Sequence, residues 1–351
     1  MSSNEEQKVG VAAADVGSLA IVIPTFNAAG WLASTIASLE RAVLRSPWRA
    51  DAVVIIVDDG STDDTPKTVD ELDCSVPIRY LRQDNRGRYH ARLAGLLAAG
   101  DAQFVLLCDA RVTVSEDALA FIAEHVNAGA AVWNAHAETA PGSPYPLFWD
   151  AITHVAWRKY YRAPRTTSYG IAEFDDYPKG TTCFFAPRTV LLEAFEAFES
   201  GYDDLRHAND DTTIIRSIAK ASRIWISPSF RCTYHGRTTL SGFVRHSFHR
   251  GIVFVDGYLE PGTRYRVPII VFLAVTPAAG WLVARHPRAA VATLVGADLA
   301  AAVAARALGA STKEAATLAT LGPLFGACYG SGIWAGVGHR LRASWQRSVG
   351  R

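Results

Sequence analysis

The chain has 351 residues, enough for one large α/β domain with an appendage or for two domains. Its 35 basic and 34 acidic side chains leave a formal charge of +1, and the basic ones are scattered through the first two hundred residues, which excludes a polyelectrolyte and argues against a dedicated nucleic-acid surface. Five cysteines lie far apart with no C-x-x-C pair, so neither a zinc knuckle nor a disulfide framework is expected, and a reducing compartment fits.

Residues 1–17 carry early acidic groups and no apolar segment, so they do not read as a signal peptide and are expected to be a disordered lead-in. Residues 19–23 (LAIVI) form a short β-branched run that stops at Pro24, the pattern of a buried strand. After Asn27, the residues Trp31, Leu32, Ile36, Leu39 and Val43 recur at helical spacing. Residues 53–57 (VVIIV) predict a second buried strand, and the loop DDGSTDDTP leads into a short helix over 65–72. Residues 78–81 predict a third strand. The segment RYHARLAGLLAAG predicts a helix with Leu93, Leu96 and Leu97 on its apolar face and Gly100 as its stop. The fourth strand is expected over 104–109. Strand and helix alternate, which predicts a mostly parallel sheet covered on both faces. Ligands of such sheets bind beyond the carboxyl ends of the strands, where Thr25, Asp58, Asp59 and Asp109 stand. Residues 137–178 are rich in Pro, Tyr, Trp and Arg and show no clear period, so a long irregular insertion is expected there, beside the site.

Several groups carry candidate chemistry. The sequences 24-PTFN-27 and 57-VDDGSTD-63 place carboxylates at strand ends, where they can accept hydrogen bonds from a nucleobase or ribose; the same residues are also good turn and capping chemistry. Arg86, Arg88 and Arg92 lie at or near a helix start, where the dipole also favours anions, and Arg92 can brace the neighbouring strand ends. Asp210 and Asp211 open the helix of 207-HANDDTTIIRSIAKA-221, as dipole-favoured helix starts or as a general base. His235 follows a further strand-like run. Arg245, His246, His249 and Arg250 share a predicted helix, where they contact either an acceptor, a phosphate or a lipid headgroup. In 104-FVLLCDARVTV-114 the strand ends in Asp109, and Arg111 stands two positions on.

The last third changes character. Residues 267–284 hold no charge, 289–305 are apolar except for Asp298, and 315–338 hold no ionisable side chain but Cys328 and Tyr329. A span needs about 20 apolar residues. The first and third segments approach that length and Asp298 interrupts the second. They read as membrane-associated, with a buried helical subdomain as the competing reading. Basic flanks at Arg264 and Arg266 and again from His339 to Arg351 favour two spans, or a spanning hairpin plus an interfacial segment, over three.

Together, IVIPTFN, VDDGSTD and the N-x-G-x-x-x-A-R-x-x-G-L pattern from Asn85 to Leu96 resemble the family-two glycosyltransferases, over roughly residues 18–255. The resemblance implies a GT-A fold: Rossmann-like, with a mostly parallel sheet flanked by helices. Domains follow as a lead-in over 1–17, the GT-A domain over 18–255 and a C-terminal hydrophobic helical region with a basic tail over 256–351. It implies a nucleotide-sugar donor, inversion at the anomeric carbon, and a glycan or lipid-linked acceptor at the cell envelope. Pro24, Thr25, Asp58, Asp59, Arg92, Asp109 and Arg111 then fall on the donor side. Asp211 falls on the base, with Asp210 the second choice. Arg245, His249 and Arg250 fall near the acceptor or phosphate. The Q-x-x-R-W pattern of processive members is absent. The family's D-x-D metal motif is broken, since Arg111 takes the place of the second aspartate. Two readings stay open. Asp109 and His235 retain Mg2+ or Mn2+, or Arg111, facing the same way as Asp109 on an extended strand, replaces the cation. A membrane-associated enzyme with its catalytic domain on the cytoplasmic side is the expected protein; a non-catalytic scaffold with a degenerate site and a nucleotidyltransferase are the alternatives.

Overall fold

The computed structural model of the protein describes residues 16–349. Most of the expected lead-in, residues 1–15, lies outside the described residues. Packing begins at Val16, which is buried and whose carbonyl accepts a hydrogen bond from the Trp48 indole at 3.3 Å.

In chain order the elements are β1 (Leu19–Thr25), α1 (Ala29–Leu44), β2 (Ala52–Asp58), α2 (Thr65–Asp70), β3 (Ile78–Arg82), α3 (Arg88–Ala98), β4 (Phe104–Cys108), β5 (Val112–Val114), α4 (Ala118–Asn127), β6 (Trp133–Thr139), α5 (Pro144–Ala156), α6 (Arg158–Tyr161), β7 (Thr167–Tyr169), β8 (Cys183–Pro187), α7 (Arg188–Glu196), α8 (Asp210–Ala221), β9 (Ile224–Tyr234), α9 (Leu240–Tyr258), α10 (Arg266–Arg285), α11 (Pro287–Ala307) and α12 (Thr312–Val349). The first half follows the predicted alternation. The strands run β3-β2-β1-β4, all parallel, and their register sets Thr25 beside Asp58 and Asp58 beside Arg82. The second half differs. β8 adds antiparallel to β4, β6 antiparallel to β8 and β9 parallel to β6, while β5 and β7 pair antiparallel with β9. The sheet is therefore mixed, with helices on both faces.

Side-chain alternation builds one core on each face. On β8, Phe185 joins Trp48, Phe104 and Trp133 under α1 and α4, whereas its neighbour Phe184 joins Phe195, Ile214 and Ile218 under α7 and α8. The segment 137–178 corrects the expectation of irregular chain. It contains α5 and α6 and the strand β7, and α5 starts where Ser143 caps Pro144 and accepts from the Tyr145 amide.

The C-terminal region is helical, with α12 lying along α9 at backbone contact. A Cβ on Gly251 would stand 2.2 Å from the Tyr329 carbonyl oxygen, and one on Gly332 would stand 2.1 Å from that of Phe248. α12 also reaches α5, through Phe325 against Phe148 and Trp149 at ring separations of 5.0 and 5.4 Å. The apolar segments sort differently from the sequence expectation. α10 and α11 are long and apolar enough to cross a membrane, with mean hydropathies of 2.1 and 1.5, and both are almost wholly exposed. The third segment is instead part of α12, packed against α9 and α5. Asp298 does not interrupt α11, because its carboxylate faces α12 at Gly322, where a Cβ would stand 2.0 Å from Oδ1.

The glycine contact gives a test. Gly332→Val forces α9 and α12 apart and is expected to cost about 1–3 kcal/mol of stability. Gly338→Ala, where nothing lies within 4 Å of the added methyl, is expected to be neutral or slightly stabilising. Thermal melting of the two variants beside the wild type checks this.

Candidate active site

Two loops close the carboxyl ends of β1 and β2, and Asn27 joins them. Asn27 adopts a positive φ of 49°, its side-chain oxygen accepts from the amides of Thr62 (2.8 Å) and Asp63 (3.3 Å), and its own amide donates to Ser61 Oγ at 2.9 Å. Asp58 is fully buried. Its oxygens accept from the Ser61 amide and the Tyr80 hydroxyl, each at 2.8 Å, and it pairs with Arg82 at 3.6 Å. Burial and then the Asp58 carboxylate push the Tyr80 hydroxyl up to about 12. Asp59 accepts from the amides of Arg86 (2.9 Å) and Gly87 (2.8 Å) and from the Gln83 side chain at 2.7 Å. Both carboxylates thus bind protein: Asp58 shapes its loop, and Asp59 fixes the start of α3. Thr25 is buried too and its hydroxyl donates to the Ile23 carbonyl. Pro24 is partly buried beside it. Phe26, 49% exposed in the same loop, presents an aromatic face.

α3 aims two arginines at the end of β4 and the start of α8. Arg92 is 1% exposed. Its Nη1 donates to Asp210 Oδ2 at 2.6 Å and to Asp211 Oδ1 at 2.8 Å, and its Nη2 donates to Asp109 Oδ1 at 2.9 Å. Arg88, one turn earlier on the same face, pairs with Asp210 Oδ1 at 3.4 Å. Asp210 is buried with both oxygens in ion pairs. Asp211 is not: Arg92 and the Thr181 hydroxyl both bind its Oδ1, while its Oδ2 carries no hydrogen bond among the described residues. Burial opposes ionisation of Asp211, but Arg92 and Arg88 outweigh it and hold the carboxyl far below the usual carboxylate range. Burial raises the affinity of Asp109 for a proton, with Arg92 acting in the opposite sense. Arg88 and Thr181 complete the cluster. The helical spacing of Arg88 and Arg92 was the available signal for the first; nothing in the sequence marks Thr181.

Asp211 and Asp109 stand on the wall of a cavity of about 280 Å3 between α5, β6 and α9. Arg237 and Arg250 line its mouth, and neither forms an ion pair among the described residues. The Tyr234 phenol stands among these groups: burial and Asp109 raise its proton affinity, and Arg237, Arg111 and Arg250 lower it. His246 also lines the cavity. Burial, then Arg250 and Arg237, push it down to about 3, while burial and Arg88 push His249 down to about 4. His249 faces His207 rather than the cavity, at a ring separation of 5.7 Å. Arg245 points away altogether, into a shallow groove with Val244 and Phe248 on the other side of α9.

Arg111 does not share a face with Asp109. The chain turns after β4, with the Val112 amide donating to the Asp109 carbonyl at 3.1 Å, so the spacing of an extended strand does not apply. Asp109 turns to Arg92, while the Arg111 guanidinium lies 5.3 Å from the centre of the Trp31 ring. The His235 ring packs on that same Trp31 at 5.0 Å, with Nε2 3.4 Å from the Thr113 hydroxyl. For a divalent cation these residues offer little beyond Asp109 Oδ2: an arginine takes the second D-x-D position, Arg92 binds Asp109 Oδ1, and His235 is engaged with Trp31 and Thr113. Among the described residues no three His, Cys, Asp or Glu side chains form a metal-holding group.

Residues 20–186 match the family described as Glycosyl transferase family 2. Among solved structures, the mannosyltransferase PcManGT of Pyrobaculum calidifontis, in complex with GDP-Man and Mn2+, is similar at 18% identity and a TM-score of 0.53, over 86% of this chain and 85% of that one. S. aureus TarS 1-349, in complex with UDP, is similar at 16% identity and a TM-score of 0.46, over 69% of this chain and 67% of that one. No curated protein matches the chain in sequence.

Two outcomes are expected. Arg92→Met strands three carboxylates and should cost about 3–5 kcal/mol or prevent folding, with Arg92→Lys intermediate; urea unfolding measures both. His246 and His249 bind protons more weakly when folded than the ~6.5 of an unfolded histidine. As pH falls below that value the unfolded chain is protonated first, so their contribution, complete above pH ~6.5, is lost as pH falls toward the folded values. The melting temperature should drop from pH 7 to pH 5, less steeply in His246→Asn.

Proposed function

We propose, for a chain whose residues 20–186 form a glycosyltransferase family 2 domain, that the protein moves a sugar from a nucleotide-sugar donor to a hydroxyl of a lipid-linked or cell-envelope glycan, with inversion. The observation that carries the proposal is Asp211: ionised, anchored through Oδ1 and free at Oδ2 on the wall of a cavity. Asp210, buried with both oxygens in ion pairs, is the positioning partner rather than the base.

The chemistry follows from that geometry. The acceptor hydroxyl donates its proton to Asp211 Oδ2 as its oxygen attacks the anomeric carbon from the face opposite the diphosphate. The bond from that carbon to the diphosphate oxygen breaks, and its electron pair leaves on the nucleoside diphosphate. A carboxylate held so far below its usual range is a weak base at the start. It becomes effective late, when the attacking oxygen has gained positive charge and lost its hold on the proton.

Leaving-group charge falls to arginines. Asp109, Asp210 and Asp211 against Arg88 and Arg92 leave one negative charge in the bonded cluster. Arg111, Arg237 and Arg250 around Tyr234 turn the total to two positive charges, a match for the two negative charges of a nucleotide-sugar diphosphate. Pro24, Thr25, Asp58 and Asp59 build the nucleoside end by shaping its loops, and Phe26 offers a stacking face.

The catalytic domain lies on the cytoplasmic side in this proposal. α10 and α11 form a spanning hairpin whose base carries Arg264, Arg266, Arg306 and Lys313, and α9 and α12 lie at the membrane surface between hairpin and site.

Asp211→Asn is expected to lower turnover of nucleotide sugars by about 10²–10⁴ while keeping the melting shift given by UDP or GDP. Turnover by wild-type protein should survive exhaustive chelation, and Arg237→Gln should weaken nucleotide binding in chelator. Full loss on chelation, restored by Mn2+, would sink the arginine account. Nucleotide binding with no turnover in the wild type would leave a donor-binding scaffold instead of an enzyme.

A further inference from the structure

The cavity behind Asp211 has walls that a packed core would not use. One face of α5 looks into it, with Pro146, Trp149, Asp150 and Thr153 recurring at helical spacing. An inward helix face in a core carries aliphatic residues at those positions. Here it carries an indole N–H, a carboxylate and a hydroxyl. Across from it, Ala135 and Ala137 of β6 are too small to fill the gap. Large polar residues on one wall against small ones on the other preserve a space instead of closing it.

The polar groups are placed but not used up. The Trp149 indole N–H is buried and has no hydrogen-bond partner among the described residues. A buried donor without a partner is costly, and each such group calls for an explanation. Asp150 accepts from the Thr139 hydroxyl through Oδ1, has no cation partner among the described residues, and leaves Oδ2 open. The Trp149 ring itself is clamped between His246 at 4.9 Å and Phe325 of α12 at 5.4 Å, so its N–H is held in place.

From this we infer that the cavity between α5 and β6 is the acceptor subsite, and that it takes a neutral sugar ring of the acceptor. This inference rests on the transfer reaction proposed above. A pyranose offers hydroxyls that donate to a carboxylate and accept from an indole N–H, and C–H faces that lie against aromatic side chains such as Trp157. The volume, at the lower edge of the ~300–1,000 Å3 of small-molecule sites, suits one ring. Among the charged lining residues Arg88 and Lys179 are already paired, with Asp210 and Asp175, whereas Asp150 has no cation partner among the described residues and opposes a phosphate beside it; Arg237 and Arg250, exposed, attract one. Asp211 Oδ2 meets the ring's reacting hydroxyl at the inner junction of the two regions. Trp149 and Asp150 are thus specificity residues for the acceptor, and α12 acts on acceptor binding by holding Trp149.

The test uses full-length protein in detergent, with methyl α- and β-hexopyranosides as probes. Saturation-transfer NMR reads their binding, and the melting shift given by UDP and GDP reads the donor side separately. At least one hexoside should show saturation of its ring protons. Trp149→Phe, which keeps the ring packing and removes the N–H, and Asp150→Asn should each weaken that hexoside by about tenfold or more. The nucleotide melting shift verifies that both variants still fold. Equal hexoside affinity in wild type and variants would overturn the subsite, as would no hexoside binding by a protein that binds nucleotide. Displacement of the hexoside by inorganic phosphate with no dependence on Asp150 would assign the cavity to an anionic group and also overturn it. Hexoside binding without any nucleotide response would leave the subsite standing and remove the transfer reaction instead.

Discussion

Arg92 is nearly sealed from water and answers three carboxylates at once. Burying a guanidinium costs several kcal/mol, and the cost is offset only where geometry is good and the partners are charged. One guanidinium cannot neutralise three carboxylates, so Arg88 supplies a second cation from the same face of α3. The remaining excess negative charge needs cations from outside the cluster, or a ligand-bound arrangement that brings them in. The site is therefore built as a balance of charges, and the positions of β4, α3 and α8 relative to one another are set by it.

Those positions depend on further contacts away from the chemistry. Asp59 grips the two amides that start α3, and so fixes where Arg88 and Arg92 point. Asn209 caps α8 by accepting from the Thr212 amide at 3.2 Å, and Asp256 of α9 holds the Asn209 amide at 2.8 Å. Gly257 leaves no room between α9 and Asn209, since a Cβ there would stand 2.0 Å from the Asn209 side chain. α9 is in turn locked to α12 through Gly251 and Gly332. A path of direct contacts thus runs from the C-terminal helices to the carboxylate pair. Displacing α9 displaces the start of α8, and with it Asp211.

What the sequence disclosed divides along physical lines. The first part of the sheet was legible because β1, β2 and β4 are buried on both faces and the helices between them show an apolar stripe, as in Leu19–Thr25 and Ala29–Leu44. The Arg92 and Asp210–Asp211 positions were legible as motif residues, although their mutual contacts were not. α5 was missed because its inward face lines a cavity, so Asp150 and Thr153 stand where the pattern requires aliphatic residues. Asp298 misled for a similar reason: a charge in an apolar run looks like an interruption until its partner surface on α12 is seen. Arg111 misled through local geometry. The alternation that puts residues i and i+2 on one face holds only in extended chain, and here a turn sends Asp109 and Arg111 to different partners. Long-range contacts such as Thr181 on Asp211 leave no periodic trace.

In the proposed reaction guanidinium groups stand in for a cation, which changes more than the count of charges. A metal ion arrives with the substrate and can leave with the product, whereas Arg111, Arg237 and Arg250 are attached to the chain. Burial and then the like charge of Arg237 lower the affinity of Arg111 for its proton. In the proposed reaction, a diphosphate bound among these arginines offsets that like-charge effect. Arg250 belongs to α9, the helix that also fixes the start of α8. Arg250 near the middle of α9 and Asp256 near its C-terminal end thus share one helix, and a shift of that helix moves Arg250 and the start of α8 together.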